Sequence, residues 1–131
     1  FLIEEMIADG IAELLIGVIR DPVHGFVLTL GAGGTLTELL KDSRSLLLPA
    51  SADDIDEALD ALRIAPLLGG YRGAPPVDRP ALHRSIQAMQ DFAIAHADRL
   101  HEIEINPLIC TATDAIAADA LLRLAPEKER P

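Results

Sequence analysis

His101-Glu102-Ile103-Glu104-Ile105-Asn106-Pro107 is the stretch on which the fold turns. Polar and apolar residues alternate through it, and strand side chains point to opposite faces with a period of two. Ile103 and Ile105 are therefore expected on a core face, with Glu102, Glu104 and Asn106 together on the other. Pro107 has no N–H to give to a ladder, so a sheet edge or a bulge is expected there. A second strand over Ala115 to Ala120 is expected to return beside the first and to carry Asp119.

Upstream, the apolar residues from Ile11 to Arg20 are nearly continuous, as in a strand covered on both faces. Asp21-Pro22-Val23-His24-Gly25 reads as a turn, and Phe26 to Leu30 as the strand that closes an antiparallel hairpin. Gly31-Ala32-Gly33-Gly34 lacks the G-x-x-x-x-G-K-[ST] pattern of a phosphate loop and reads as a turn needing positive φ. Phe1-Leu2-Ile3 reads as a further strand that breaks at Asp9-Gly10. Two helices lie between the hairpin and the acidic strand. Ser51 caps the first, with Asp54 in its first turn, and Ile55, Ala58, Leu59 and Leu62 form its buried stripe. Pro66 is expected to stop that helix or to follow it shortly. Leu67 to Val77, with its glycines and prolines, is expected to be an irregular loop. Asp78 and Pro80 open the second helix, whose stripe is Leu82, Ile86, Met89 and Ala93, with Phe92 alongside. The fold class is α+β: a mixed, mainly antiparallel sheet packed against helices.

The chain has 131 residues, half of them apolar, which suffices for one domain with a real core. Phe1, Phe26, Phe92 and Tyr71 are the whole aromatic set, so Leu, Ile, Val and Ala must build that core. The longest uncharged run, Pro22 to Thr37, is interrupted by glycines and too short to cross a membrane. There is no basic n-region and no initiating Met, so no secretory signal is read. An opening at Phe1 inside an apolar run reads as a cut from something larger. Acidic residues number 21 against 11 Lys plus Arg, for a formal charge of −10. That balance argues against nucleic acid, which a cationic face must hold. Cys110 is the only cysteine; it reads as filler in a strand, and a cytoplasmic location fits. None of His24, His83, His96 and His101 pairs with a nearby nucleophile, and each reads as structural or solvent-facing.

Three oxygen-bearing side chains on one strand face, with Asp119 on a neighbour, suit a hard cation such as Mg²⁺ that keeps waters or phosphate oxygens. Alternating Glu and Ile on a half-exposed strand is equally ordinary, and spacing alone leaves the matter open.

Glu104-Ile105-Asn106-Pro107-Leu108 followed by Ala118-Asp119-Ala120 resembles the closing signature of the succinyl-CoA synthetase β-subunit and the ADP-forming acetyl-CoA synthetases. Glu5-Met6, Glu13, Gly17-Val18, Arg20-Asp21-Pro22, Gly31 to Gly34, Glu38 to Asp42 and Tyr71 to Pro76 fall in the order of the acyl-CoA synthetase branch. The resemblance implies the carboxy-terminal subdomain of an ATP-grasp fold over residues 1–124, with 125–131 a tail. It assigns Mg²⁺ on the phosphates of ATP or ADP to Asn106 and Asp119. It places Glu104 near the phosphoryl group in transfer, where it would orient or polarise a phosphohistidine. It assigns the adenine hinge to Glu5, Met6 and Ile7, and the ribose hydroxyls to Glu13. The implied reaction couples cleavage of an acyl-CoA thioester to ATP formation through that phosphohistidine, which lies in another domain. The amino-terminal ATP-grasp subdomain and the CoA-binding and ligase domains are the implied partners, homo-oligomerisation stays open, and the isolated piece is expected to be inactive. Leu121 stands where the group commonly carries Lys or Arg. Two other readings remain: a regulatory region in an acetyltransferase fusion, and a non-catalytic interaction module.

Overall fold

The computed structural model describes residues 10–126. Its elements run β1 (Ala12–Asp21), β2 (Gly25–Ala32), α1 (Leu36–Leu40), β3 (Ser43–Leu47), α2 (Ala52–Asp60), α3 (Ala65–Leu68), α4 (Arg79–Ala95), β4 (Leu100–Cys110), β5 (Ala115–Ala117) and β6 (Ala120–Leu124). The strands make one sheet in the order β3-β2-β1-β4-β5, with β6 also on β4. Every pairing among the described residues is antiparallel.

The hairpin forms where Asp21 caps its own turn. Its Oδ1 accepts the N–H groups of Val23 at 2.8 Å and His24 at 2.9 Å. Gly25 then takes φ 89°, a value that L side chains rarely adopt. Those hydrogen bonds hold the Asp21 carboxyl below its usual range. Both long helices start at the expected caps: Ser51 Oγ accepts from Asp54 N, and Asp78 Oδ1 accepts from Ala81 N. Pro66 sits in the first turn of the separate helix α3, beyond the end of α2.

Helices α2 and α4 cover one sheet face. Leu14, Ile16 and Val18 of β1 meet Leu28 and Leu30 of β2, Leu100 and Leu108 of β4, and the predicted stripes of both helices. Ile103 and Ile105 pack against this cluster, as the alternation predicts. Two buried polar side chains tie the loops down. Gln90 accepts from Ala50 N at 2.6 Å and donates to Ala50 O at 3.1 Å. Asp42 accepts from Arg63 N at 2.8 Å and Ile64 N at 3.1 Å.

Three expectations need correction. β1 is not covered on both faces: its burial alternates, with Glu13 and Ile19 exposed opposite a buried row. A run of apolar residues reports side-chain character, not what lies over it. The return strand is broken, and Asp119 sits in the gap between β5 and β6. Within Gly31 to Gly34 only Gly34 has positive φ, and Gly31 and Ala32 belong to β2. Gly31 and Gly33 are there for close approach: a Cβ at Gly31 would lie 2.6 Å from Asp42 O, and one at Gly33 2.4 Å from Leu14 C. Finally, α1 and β3 arise in a segment whose sequence announces neither. The expected strand at Phe1-Leu2-Ile3 lies outside the described residues.

Cys110 is buried at the end of β4, and burial pushes its thiol up to about 12. The native chain should therefore react with a disulfide reagent at pH 8 about 100-fold more slowly than the urea-unfolded chain, because thiolate and access are both missing. Equal rates in the two states would contradict the burial.

Candidate functional site

The sheet face away from the helices is open. Register places Glu13, Leu15, Gly17 and Ile19 of β1 on it beside Thr29 and Gly31 of β2 and Glu102 and Glu104 of β4. A groove of about 260 Å³ runs over this face, with Gly17 on its floor and Lys41 and Thr37 also lining it. A Cβ at Gly17 would meet nothing closer than 3.8 Å. The glycine leaves room above the sheet; it does not relieve a clash.

One end of this face is built by a bulge. β4 places two residues, Asn106 and Pro107, where β1 places only Leu15, and the register shifts between Leu14 and Ile16. The missing N–H of Pro107 is what a bulge can tolerate, so the expected irregularity resolves as a bulge in an interior strand. On the far side of β4, Asn106 N donates to Asp119 O at 3.1 Å and Ala118 N donates to Pro107 O at 3.0 Å. Asn106 and Asp119 are thus neighbours across the ladder, each at the interruption of its own strand.

The Gly33-Gly34 turn closes over the same point. Gly33 N donates to Glu13 O at 2.9 Å, which presses the turn onto β1. A Cβ on Gly34 would stand 2.8 Å from Glu13 Oε2, so the Glu13 carboxylate lies against this residue. Gly34 N donates to Asn106 Oδ1 at 2.8 Å, and Asn106 Nδ2 donates to Thr37 Oγ1 at 3.3 Å. Glu13 and Asn106 therefore meet at Gly34. Glu104 faces Gly17 from the neighbouring strand. Leu121 pairs with Glu104 on β6, half exposed.

Asp119 Oδ1 accepts from Ala120 N at 2.9 Å. A carboxylate has further lone pairs beyond that bond, and Asn106 Oδ1 has one beyond Gly34 N–H. Among the described residues no three His, Cys, Asp or Glu side chains form a metal cluster. A cation at this point would take one amide and one carboxylate oxygen from the chain and complete its shell elsewhere. That donor set fits Mg²⁺, which takes few protein ligands and keeps waters and phosphate oxygens.

Glu5, Met6 and Ile7 are outside the described residues. Glu102 sits 3.6 Å from the exposed Arg123, a solvent-screened pair. Arg72, at φ 50°, folds over the ring of Tyr71. His83 Nε2 donates to Asp56 Oδ1 at 2.7 Å, and that bond, with Arg79, holds the Asp56 carboxyl below its usual range. His24 is in the hairpin turn, and His96 stacks on Phe92. Thr37 and the Gly34 amide were invisible as site components in the sequence. Nothing in Gly34-Thr35-Leu36-Thr37 announces that it will reach a residue 69 positions away.

Residues 1–124 match the model of an ATP-grasp domain family. The chain is 35% identical over 112 residues to the β subunit of an ADP-forming acetate–CoA ligase I of Pyrococcus furiosus, covering 86% of this chain and 48% of the subunit. It is 37% identical over 123 residues to a trans-feruloyl-CoA synthase from an unknown prokaryotic organism, covering 92% of this chain and 17% of the synthase. Among solved structures it superposes on acetyl-coenzyme A synthetase 1 of Candidatus Korarchaeum cryptofilum with TM-score 0.81 at 29% identity, covering 86% of this chain and 53% of that one. That structure is a complex with coenzyme A and Mg-AMPPCP, its phosphohistidine segment pointing towards the nucleotide-binding site. The chain spans about half of the Pyrococcus subunit and of the Korarchaeum chain, and less of the synthase.

Proposed function

Because the chain belongs to the ATP-grasp domain family, which it matches over residues 1–124, we propose that it is the carboxy-terminal, nucleotide-holding ATP-grasp unit of an ADP-forming acyl-CoA synthetase. The tail read at residues 125–131 lies mostly outside the described residues. The complete protein would be an acid–thiol ligase that couples acyl-CoA cleavage to ATP formation through a phosphohistidine carried elsewhere. The observation that carries the reading is the juxtaposition of Asn106 and Asp119 across the β4 bulge.

In this reading Asn106 and Asp119 would hold Mg²⁺, which would supply charge neutralisation to the nucleotide phosphates. Glu13 takes the ribose hydroxyls as a charge-assisted acceptor, its carboxylate already beside the Gly34 turn. Glu5, Met6 and Ile7 form the adenine hinge. Glu104, on the groove side of β4, orients the incoming phosphohistidine. Phosphoryl transfer is mostly positioning and charge neutralisation, so these residues act by holding reactants in line. The open sheet face is where the amino-terminal ATP-grasp subdomain would close. For that reason the isolated unit would have little activity, and affinity would reside in the complete protein. No helix among the described residues is long and apolar enough to cross a membrane. A buried, unreactive Cys110 suits a cytoplasmic setting.

The test is Mg²⁺-dependent ADP binding by titration calorimetry on the complete protein. Asn106→Ala and Asp119→Ala should each weaken it by about 100-fold, the upper end of what losing even an outer partner of a metal costs. Wild-type affinity in both variants would overturn the assignment.

A further inference from the structure

Asn106 can serve a cation only if its amide presents oxygen, not nitrogen. Which way an amide faces is decided by its hydrogen-bond partners. Two partners are fixed here. Gly34 N–H is a backbone donor 2.8 Å from Oδ1 and can accept nothing. Thr37 Oγ1 lies 3.3 Å from Nδ2, and its own proton goes to Gly34 O at 2.9 Å. With that proton committed, the hydroxyl offers only lone pairs, so the group facing it must be the NH₂. The four groups close a ring from Gly34 N–H through both ends of the Asn106 amide and Thr37 Oγ1 back to Gly34 O. Reversing the amide would set NH₂ against Gly34 N–H and the amide oxygen against a hydroxyl lone pair.

Thr37 also stands at the start of α1, where its backbone N–H donates to the same Gly34 carbonyl at 3.3 Å. The turn is held by that bond and by Gly33 on Glu13, whichever side chain occupies position 37. The hydroxyl is therefore not what builds the turn. We propose that Thr37 is a positioning residue for the cation site, one that fixes which end of the Asn106 amide presents the oxygen. This rests on the assignment of Asn106 to Mg²⁺ above. In this role the hydroxyl acts through Asn106 and not as a ligand itself.

The experiment compares Thr37→Val and Thr37→Ser in the complete protein, with Asn106→Ala alongside. Valine keeps the shape and removes the acceptor; serine keeps the acceptor. ADP binding is titrated at fixed nucleotide against Mg²⁺, and again in EDTA, with thermal unfolding of each variant. Thr37→Val should need about 10-fold more Mg²⁺, the cost of losing an outer partner of a metal ligand. Its binding in EDTA and its unfolding midpoint should stay near wild type, and Thr37→Ser should restore the Mg²⁺ dependence. A wild-type Mg²⁺ requirement in Thr37→Val, with Asn106→Ala defective, would overturn the role of Thr37 while leaving the site. Equal loss in the EDTA arm, or a serine variant as impaired as valine, would reduce Thr37 to a structural residue and also overturn it. An unaffected Asn106→Ala would remove the site itself.

Discussion

Gly33→Ala should cost the chain about 3 kcal/mol of folding stability, the upper end of overpacking penalties, because the obstacle is backbone. The added Cβ would lie 2.4 Å from Leu14 C, 2.5 Å from Leu14 O and 2.9 Å from Leu15 N. None of these atoms can swing aside as a side-chain end would; β1 is paired on both edges there. The turn must lift instead, which breaks the Gly33 N–H bond to Glu13 O and draws Gly34 away from Asn106. Gly69→Ala is the matching control. Its Cβ meets nothing within 4 Å and its φ is −93°, so a change within about 0.5 kcal/mol is expected. Urea unfolding of the two variants checks both values. A Gly33→Ala midpoint at the control's level would mean that the turn does not press on β1 as described.

Asp42→Ala should be nearly as damaging. The carboxylate is buried and caps two backbone N–H groups, those of Arg63 and Ile64, in the link between α2 and α3. Removing it leaves the buried Ile64 donor and the part-buried Arg63 donor without an acceptor. An unsatisfied buried donor costs about 1–3 kcal/mol, so about 3 kcal/mol in total is expected. Asp42→Asn keeps one oxygen and turns an NH₂ towards the other donor. It should recover about half of the loss at most, since hydrogen bonds to a charged acceptor are roughly twice as strong as neutral ones. Denaturant midpoints in the order wild type, Asn, Ala are the expected result. An alanine variant as stable as wild type would show that water reaches those amides. The effect also bears on the groove, because Asp42 follows Lys41 and its carbonyl accepts from Ala32 N.

Much of this protein was legible in its residues. Helices α2 and α4 announce themselves through Ser51 and Asp78 and through stripes whose spacing is local. A helix cap and a 3.6-residue period are satisfied within one segment, so no knowledge of distant contacts is needed. The hairpin is local for the same reason. The alternation from His101 to Pro107 placed the isoleucines inwards and the glutamates outwards, and Pro107 announced either a sheet edge or a bulge, of which the structure has the bulge. The residues proposed for the cation, Asn106 and Asp119, were legible only through resemblance; their spacing by itself fits an ordinary strand edge.

What the sequence could not carry is everything set by approach between distant segments. The glycines of the Gly31 to Gly34 run looked like conformational requirements, yet two of them are present because backbones pass within a Cβ's width. Nothing in the sequence announces that Asp42 is buried under amides from a link about twenty residues on. Asp119 falls in a break between strands because the bulge in β4 must be answered by its neighbour. Most clearly, Thr37 meets Asn106 only because β1, β2 and β4 are paired in one register. Local composition specifies elements that satisfy themselves; a hydrogen bond between segments far apart in the chain exists only once the sheet has closed.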